Sequence, residues 1–303
     1  MAGILLLGAA GQLGQEFIHL LPKISPSLNK LHALDRQNGD ICDFEKIAEM
    51  VCTKRPRVII NAAAFTAVDL AESEKEKAFA VNFEAVKNLA EIAKKENALL
   101  VHFSTDYVFD GKQSTPYQEN DQTNAQNIYG QSKLKGEEAI LKSGCDFLIL
   151  RTSWVFGEYG NNFVKTMLRL FQEKEELNVV ADQIGKPTSA RFLAEFAGLA
   201  LFQTLENPQR QGLYHLSNYD AMSWFDFAQK ILNTAQHLNF DLKIKTLNKT
   251  TSQNFPQKAK RPKNSVLNCA LFEKTFGLNI PTMDSDLKKM LENLRFQKNP
   301  RST

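Results

Sequence analysis

The chain is poor in cysteine, and what cysteine it has is scattered. Cys42, Cys52, Cys145 and Cys269 form no C-x-x-C pair and no cluster with the five histidines. A disulfide framework or a structural zinc site is therefore excluded as the basis of the fold, and the thiols read as reduced and incidental. No segment approaches the ~20 consecutive apolar residues that a membrane span needs. The first residues carry no basic group, and their apolar run breaks at Gly8 and Gln12, so they do not read as a secretory signal. A dominant charge is missing too: 37 Lys and Arg against 34 Asp and Glu leave a formal charge of +3, too little to argue for nucleic acid or a membrane surface as partner. Internal repeats and low-complexity tracts are absent. A cytoplasmic location is the default expectation, and 303 residues suffice for a large core in one or two domains.

What is present is alternation. Short apolar runs predict strands over 4–7, 31–34, 58–60, 98–103 and 147–150. Helical spacing predicts helices over 12–21, 44–52, 74–97 and 128–142. Strand-helix repetition of this kind implies a doubly wound α/β fold, a parallel sheet with helices on both faces, and strands apolar throughout fit burial on both sides. Ligands of such sheets bind beyond the carboxyl ends of the strands. Polar residues gather there: 8–14, 35–36, 61–66, 104–110 and 151–154. The second half is less regular. Helices are expected over 161–173, 190–205 and 284–294 and a strand over 213–216. Ser223 with Asp226 forms a capping-box pattern that opens another helix. Residues 255–262 read as a basic, proline-flanked loop, and 299–303 as a frayed tail.

Gly8-Ala9-Ala10-Gly11-Gln12-Leu13-Gly14 lies between the first strand and the first helix. Glycines there let the chain turn sharply and let a pyrophosphate touch the backbone, while the helix N-terminus offers N–H groups and partial positive charge. Asp35-Arg36 follows the second strand. A carboxylate there can hold an adenosine ribose and an arginine can face a 2′-phosphate, so NADH and NADPH both stay open, as does a merely solvated turn. Asp40-Ile41 is placed to flank the adenine.

Tyr129-Gly130-Gln131-Ser132-Lys133 puts a phenol and an amine four residues apart on one helix face. A nearby ammonium favours the phenolate of a group that titrates near ~10, which makes the pair a general acid/base device for a carbonyl or alcohol. Y-x-x-x-K alone arises often by chance. Ser104-Thr105-Asp106 follows the fourth strand on the same sheet edge, where Ser104 or Thr105 can hydrogen-bond a substrate oxygen; a polar loop with local caps is the plainer alternative.

These segments, with NAAAFTAVDLAE (61–72), Val81-Asn82, STDYVFDG (104–111), RTSWVFG (151–157), DQIGKPT (182–188), Gly212-Leu213-Tyr214-His215 and Ala259-Lys260-Arg261-Pro262, resemble the extended short-chain dehydrogenase/reductase superfamily. More closely, they resemble the dTDP-4-dehydrorhamnose reductases. The likeness spans nearly the whole chain. The glycine motif and Y-x-x-x-K mark only the superfamily, and the longer segments mark the narrower family. The resemblance implies a Rossmann-type dinucleotide-binding domain over 1–152. A smaller substrate-binding α/β domain over 153–303 would return some segments to the sheet. It implies hydride transfer from NADPH or NADH to the C4 ketone of a nucleotide sugar, with Thr105, Tyr129 and Lys133 catalytic. Tyr129 would protonate the C4 oxygen, Lys133 would hold the ribose and tune the tyrosine, and Thr105 would bond the carbonyl. Gly8, Gly11, Gln12, Leu13, Gly14, Asp35, Arg36, Asp40, Ile41, Ala63, Ala64, Phe65, Thr66 and Phe103, with Tyr129 and Lys133, would line the cofactor. Asp106 and Trp154 would contact the sugar. Arg261 is the candidate for facing the diphosphate, a solvated charge being the other reading.

Departures from the family pattern are few. Ala125 stands where proline is common, and Phe65 and Phe156 replace residues that are often polar or hydroxylated. Some relatives form metal-bridged dimers through acidic residues, so a homodimer is open. Glu16 suits such a bridge, but Arg191 occupies the position expected to be acidic, and no bound metal is expected. Two alternatives remain at this level. One is a reductase or epimerase of another nucleotide sugar. The other is a non-catalytic subunit like the regulatory subunit of methionine adenosyltransferase, which shares the fold and several of the segments; retention of every proton-transfer residue argues against it.

Overall fold

The computed structural model of the chain describes residues 3–24 and 30–298; the expected tail at 299–303 lies outside the described residues. Strands β1 Ile4–Leu7, β2 Leu31–Leu34, β3 Val58–Asn61, β4 Leu99–Thr105 and β5 Phe147–Thr152 alternate with helices. These helices are α1 Gln12–Ile24, α2 Phe44–Lys54, α3 Val68–Ala71, α4 Lys75–Phe79, α5 Ala85–Glu96 and α6 Ile128–Ser143. The second half adds the short strands β6 Val155–Phe156, β7 Glu176–Val180, β8 Ile184–Gly185, β9 Thr188–Ser189, β10 Gly212–His215, β11 Met222–Ser223 and β12 Thr246–Thr250. Its helices are α7 Phe163–Glu173, α8 Ala190–Glu206, α9 Trp224–His237, α10 Ala270–Phe276 and α11 Asp284–Lys298. No described helix is long and apolar enough to cross a membrane.

Six strands form one sheet in the order β10-β5-β4-β3-β1-β2, and every pair is parallel. Side-chain alternation divides its interior in two. Ile4, Leu6, Val58, Ile60, Val101, Leu148 and Leu150 pack with residues of α1, α8 and α10. Leu5, Leu7, Ile59, Leu100 and Ile149 pack with residues of α2, α5 and α6. Each such side chain, fully withdrawn from water, contributes about 1.5–3 kcal/mol. The expected doubly wound α/β sheet is therefore the observed one. A third cluster joins α7, α9 and α11, around Val164, Phe171, Phe227, Ile231 and Leu287, with β7 and β12 paired at its side. The capping box at Ser223 and Asp226 forms as expected and starts α9.

Two expectations change. The single helix over 74–97 is interrupted: a π-helical stretch, Ala80–Glu84, separates α4 from α5. One inserted residue leaves the helical spacing nearly intact, and such bulges mark functional regions. Strands β7 (ELNVV) and β12 (TLNKT) were not foreseen, because both are partly exposed and too polar to read as apolar runs.

Glu137 of α6 and Arg151 of β5 form a buried ion pair at 2.7 Å, with side chains 1% and 4% exposed. The guanidinium also bonds the Glu119 carbonyl at 3.2 Å and lies over the Phe109 ring. Removing one partner of such a pair strands a charge, at a cost of about 3–5 kcal/mol. Arg151→Met is expected to lower the unfolding free energy by about that amount. Arg151→Met with Glu137→Met should recover most of it in urea melts, and equal losses in the single and double variants would show that the charge pair is not the cause.

Candidate functional site

The glycine turn is closed toward the protein and open toward a cleft. Gly8 has φ +81°, and a Cβ there would fall 2.6 Å from the Ala63 nitrogen; at Gly14 it would fall 2.2 Å from the Gly8 carbonyl oxygen. Beside Gly11 only that carbonyl lies close, at 3.3 Å. The cleft that Gly11 borders has a volume of about 270 Å³, and Gly8, Arg36, Asp40, Ile41, Ala63, Ala64 and Phe65 line it as well. A backbone turn without side chains at the start of α1 suits a pyrophosphate, so the residues present fit a dinucleotide.

The other residues expected to hold the cofactor sit differently. Gln12 accepts from Asn162 Nδ2 at 2.9 Å, and Leu13 packs against the core. Thr66 is exposed. The Phe103 side chain is buried against Phe17. Asp35 is committed to its own turn, its Oδ1 accepting from the N–H groups of Gln37 and Asn38 at 3.0 Å each. Arg36 is 91% exposed, with only a long contact of 3.4 Å to Asp40. One oxygen of Asp35 is thus tied into its own turn, while Arg36 is exposed at the rim of the cleft.

The catalytic candidates meet at the end of β4. The Thr105 hydroxyl donates to Asp106 Oδ1 at 3.0 Å and accepts from Tyr107 N–H at 3.2 Å, close to the Tyr129 phenol. The Tyr129 ring meets Tyr107 edge-on at 5.6 Å. Burial pushes the phenol up to about 12, partly offset by Thr105. Lys133 is 2% exposed. Its Nζ donates to the Phe103 carbonyl at 2.5 Å and meets His102 Nε2 at 3.3 Å. Burial brings it down to about 8, opposed by Glu137. Ser104 is buried, and its hydroxyl has no hydrogen-bond partner among the described residues.

Several residues outside the expected set fix this geometry. Asn82, in the π-helical stretch, bonds both backbone groups of Phe65 and the Ser132 hydroxyl, tying the 62–66 loop to α6. Glu72 accepts from Ile128 N–H and Asn127 from Gly130 N–H, both at 2.8 Å, so two acceptors cap the start of α6. Arg261 is not a free surface charge: it pairs with Asp69 at 2.8 Å, and Asp69 also accepts from Ala259 N–H. Beside it opens a cavity of about 720 Å³ lined by Asp110, Gln183, Ser252, Phe255, Lys260 and Lys263, among others. Trp154 has φ +49° and stacks on Trp224 at 3.5 Å. A Cβ on Gly185 would come within 2.4 Å of the Trp154 indole, which explains why a glycine stands in DQIGKPT. Glu16 lies among Glu158, Arg191, Asp286 and Lys289, and burial raises its carboxyl first, with Glu158 adding to the effect.

Asp106 is 1% exposed, and its Oδ2 has no hydrogen-bond partner among the described residues. Burial raises its carboxyl from 3.8 to about 6, against hydrogen bonding that includes Thr105. A folded-state value above the unfolded one gives stability that is complete below 3.8 and lost as pH rises through 6. The stability of the protein relative to its Asp106→Asn variant should therefore fall by on the order of 2 kcal/mol between about pH 4 and 8. Urea titrations at both pH values measure it, and a difference that does not change with pH would return Asp106 to the ordinary carboxylate range.

Comparison with known proteins agrees with this arrangement. The sequence profile of the RmlD substrate binding domain matches residues 1–296. The dTDP-4-dehydrorhamnose reductase of Escherichia coli K12 is 42% identical over 295 residues, covering 96% of this chain and 97% of its own. That of Salmonella typhimurium LT2 is 41% identical over the same shares. The crystal structure of dTDP-4-dehydrorhamnose reductase from Bacillus anthracis in complex with NADP superposes with a TM-score of 0.86 at 35% identity, covering 97% of this chain and 100% of that one. The chain belongs to the RmlD substrate binding domain family, that of the dTDP-4-dehydrorhamnose reductases.

Proposed function

We propose that this protein reduces the C4 ketone of dTDP-4-dehydro-L-rhamnose to dTDP-L-rhamnose with NADPH. The observation that carries the reading is the convergence of Tyr129, Thr105 and Asp106 at the carboxyl end of β4, where the Thr105 hydroxyl donates to Asp106 and burial raises the phenol. A reductase needs an acid at that point, whereas an enzyme that begins by oxidising an alcohol needs a base. The reduced nicotinamide supplies the hydride to C4. Tyr129 delivers a proton to the C4 oxygen, and Thr105 donates a hydrogen bond to it as negative charge develops. The phenolate left behind regains its proton from solvent.

The glycine turn would hold the pyrophosphate and Lys133 the nicotinamide ribose. Arg36, exposed at the rim of the cleft while Asp35 is tied into its own turn, supports the 2′-phosphorylated cofactor. The cavity beside Arg261, with Lys260 and Lys263, is wide and basic enough for a nucleoside diphosphate. Both substrates are metabolites of the cytoplasm, where we place the enzyme.

The test is an assay in which dTDP-4-dehydro-L-rhamnose is generated in place and loss of reduced nicotinamide is followed with NADPH and with NADH. Tyr129→Phe should lower kcat at least ~100-fold, the scale of a lost general acid, while NADPH still binds. Arg36→Ala should weaken NADPH about tenfold, the worth of one charge-assisted hydrogen bond, and leave NADH unchanged. Full turnover by Tyr129→Phe would remove the phenol from its role. Purification with oxidised cofactor firmly retained would shift the reading to an epimerase.

A further inference from the structure

Asn162 stands at the start of α7, in the second half of the chain, and its side chain is spent in three bonds. Oδ1 accepts from Lys165 N–H at 3.1 Å and caps the helix. Nδ2 donates to the Gly157 carbonyl at 2.7 Å and to Gln12 Oε1 at 2.9 Å. The segment between β6 and α7 is thereby folded onto the first residue of α1. Gly160, at φ +64°, lies against the same glutamine, where a Cβ would fall 3.1 Å from Gln12 Cγ. Lys165 Nζ donates to the Glu158 and Gly160 carbonyls, and the Tyr159 hydroxyl meets His19 Nε2 of α1 at 3.0 Å, so the segment is fastened at several points.

These contacts fix which end of the Gln12 carboxamide points where. A backbone N–H can only donate and a carbonyl can only accept, so Lys165 claims the Asn162 oxygen and Gly157 its nitrogen. That nitrogen can only donate, so Gln12 meets it with Oε1 and turns Nε2 away. Gln12 Nε2 has no hydrogen-bond partner among the described residues. The backbone beside it is unsaturated too. The Gly11 carbonyl takes Gln15 N–H, but Gly11 has no side chain with which to cap the N–H groups of Gln12 and Leu13 at the start of α1. The nearby Gln15 side chain is spent elsewhere, its Nε2 donating to the Ala9 carbonyl at 2.9 Å.

We infer that Asn162 is a positioning residue for cofactor binding: it holds the Gln12 carboxamide with its nitrogen, and not its oxygen, toward the pyrophosphate on the glycine turn. Orientation matters because the outward oxygens of a pyrophosphate are anionic and only accept. A carboxamide facing them by Nε2 adds a hydrogen bond to a charged acceptor, whereas the same group reversed sets oxygen against oxygen. The contact falls on the part that NADPH and NADH share, unlike that of Arg36. The inference rests on the dinucleotide reading above and extends it from the glycine turn to a residue 150 positions later.

The experiment is a titration of the full-length protein with NADPH and with NADH, followed by the nicotinamide fluorescence. Asn162→Ser keeps a hydroxyl to cap α7 but is too short to reach Gln12. Gln12→Met keeps the length of the side chain and removes its polar atoms. Each variant is expected to weaken both cofactors about tenfold, the worth of one hydrogen bond to a charged group. The double variant is expected to lose the same factor of about ten, because the two residues act through one contact. Unchanged affinity in Asn162→Ser overturns the inference. So does a double variant weakened about 100-fold, the product of two independent effects, which would leave Asn162 a merely structural role. Should Asn162→Ser fail to fold, Gln12→Glu decides. It keeps an oxygen for Asn162 and puts a charged one where Nε2 stood, so it should bind NADPH more weakly than Gln12→Met; equal or tighter binding overturns the inference. A wild type that binds neither cofactor overturns the dinucleotide reading as well, whereas unchanged variants beside a binding wild type overturn this inference alone.

Discussion

Helix α6 is held at one height against the sheet by groups at its start and at its middle, and the chemistry depends on that height. At its start Glu72 and Asn127 take up the free N–H groups. Halfway along, Glu137 is fastened to Arg151 of β5 by two hydrogen-bonded nitrogens. Between these anchors stand Tyr129 and Lys133. Their partners, Thr105 and the Phe103 carbonyl, belong to β4, which is hydrogen-bonded to β5. A shift of one helical residue would carry the phenol past Thr105 and the amine past its carbonyl, because successive side chains differ by about 100° around the axis.

Much of this was legible in the sequence because strands of a doubly covered sheet are short and apolar, and the positions just beyond them are then conspicuous. Thr105 stands out that way, Tyr129 and Lys133 by their four-residue spacing on one helix face, and the structure brings them together at the end of β4. His102 was not identified, because one polar residue inside LLVHFST reads as an imperfection in a core strand and not as a member of a site. The distant pairings were hidden for a different reason. Asp69 and Arg261 lie 192 residues apart, and no local pattern announces their contact. Of Asp35 and Arg36, sequence could not say which faces the ligand. The Asx turn that engages one oxygen of Asp35 is a detail of backbone hydrogen bonding over three residues.

The site is assembled against the preferences of the fold. Asp106 is buried with an oxygen unpartnered, Trp154 holds a left-handed backbone, and Lys133 ends inside the sheet. Each opposes stability, by about 1–3 kcal/mol where a backbone or an unpaired polar group is involved. The large apolar clusters on both faces of the sheet and around α9 carry that cost. Such local conflicts concentrate where a sequence serves chemistry as well as folding.

The contacts of Lys133 give these conflicts a common sense. Burial alone weakens the charge of the lysine, but burial has no direction and would leave the amine free to turn toward any acceptor. The histidine adds direction. Its Nε2 meets the Lys133 nitrogen at 3.3 Å, and the Phe103 carbonyl takes one of the lysine's protons. The side chain is then fixed at the carboxyl edge of the sheet before any ligand arrives, and little ordering is left for the ligand to bring about.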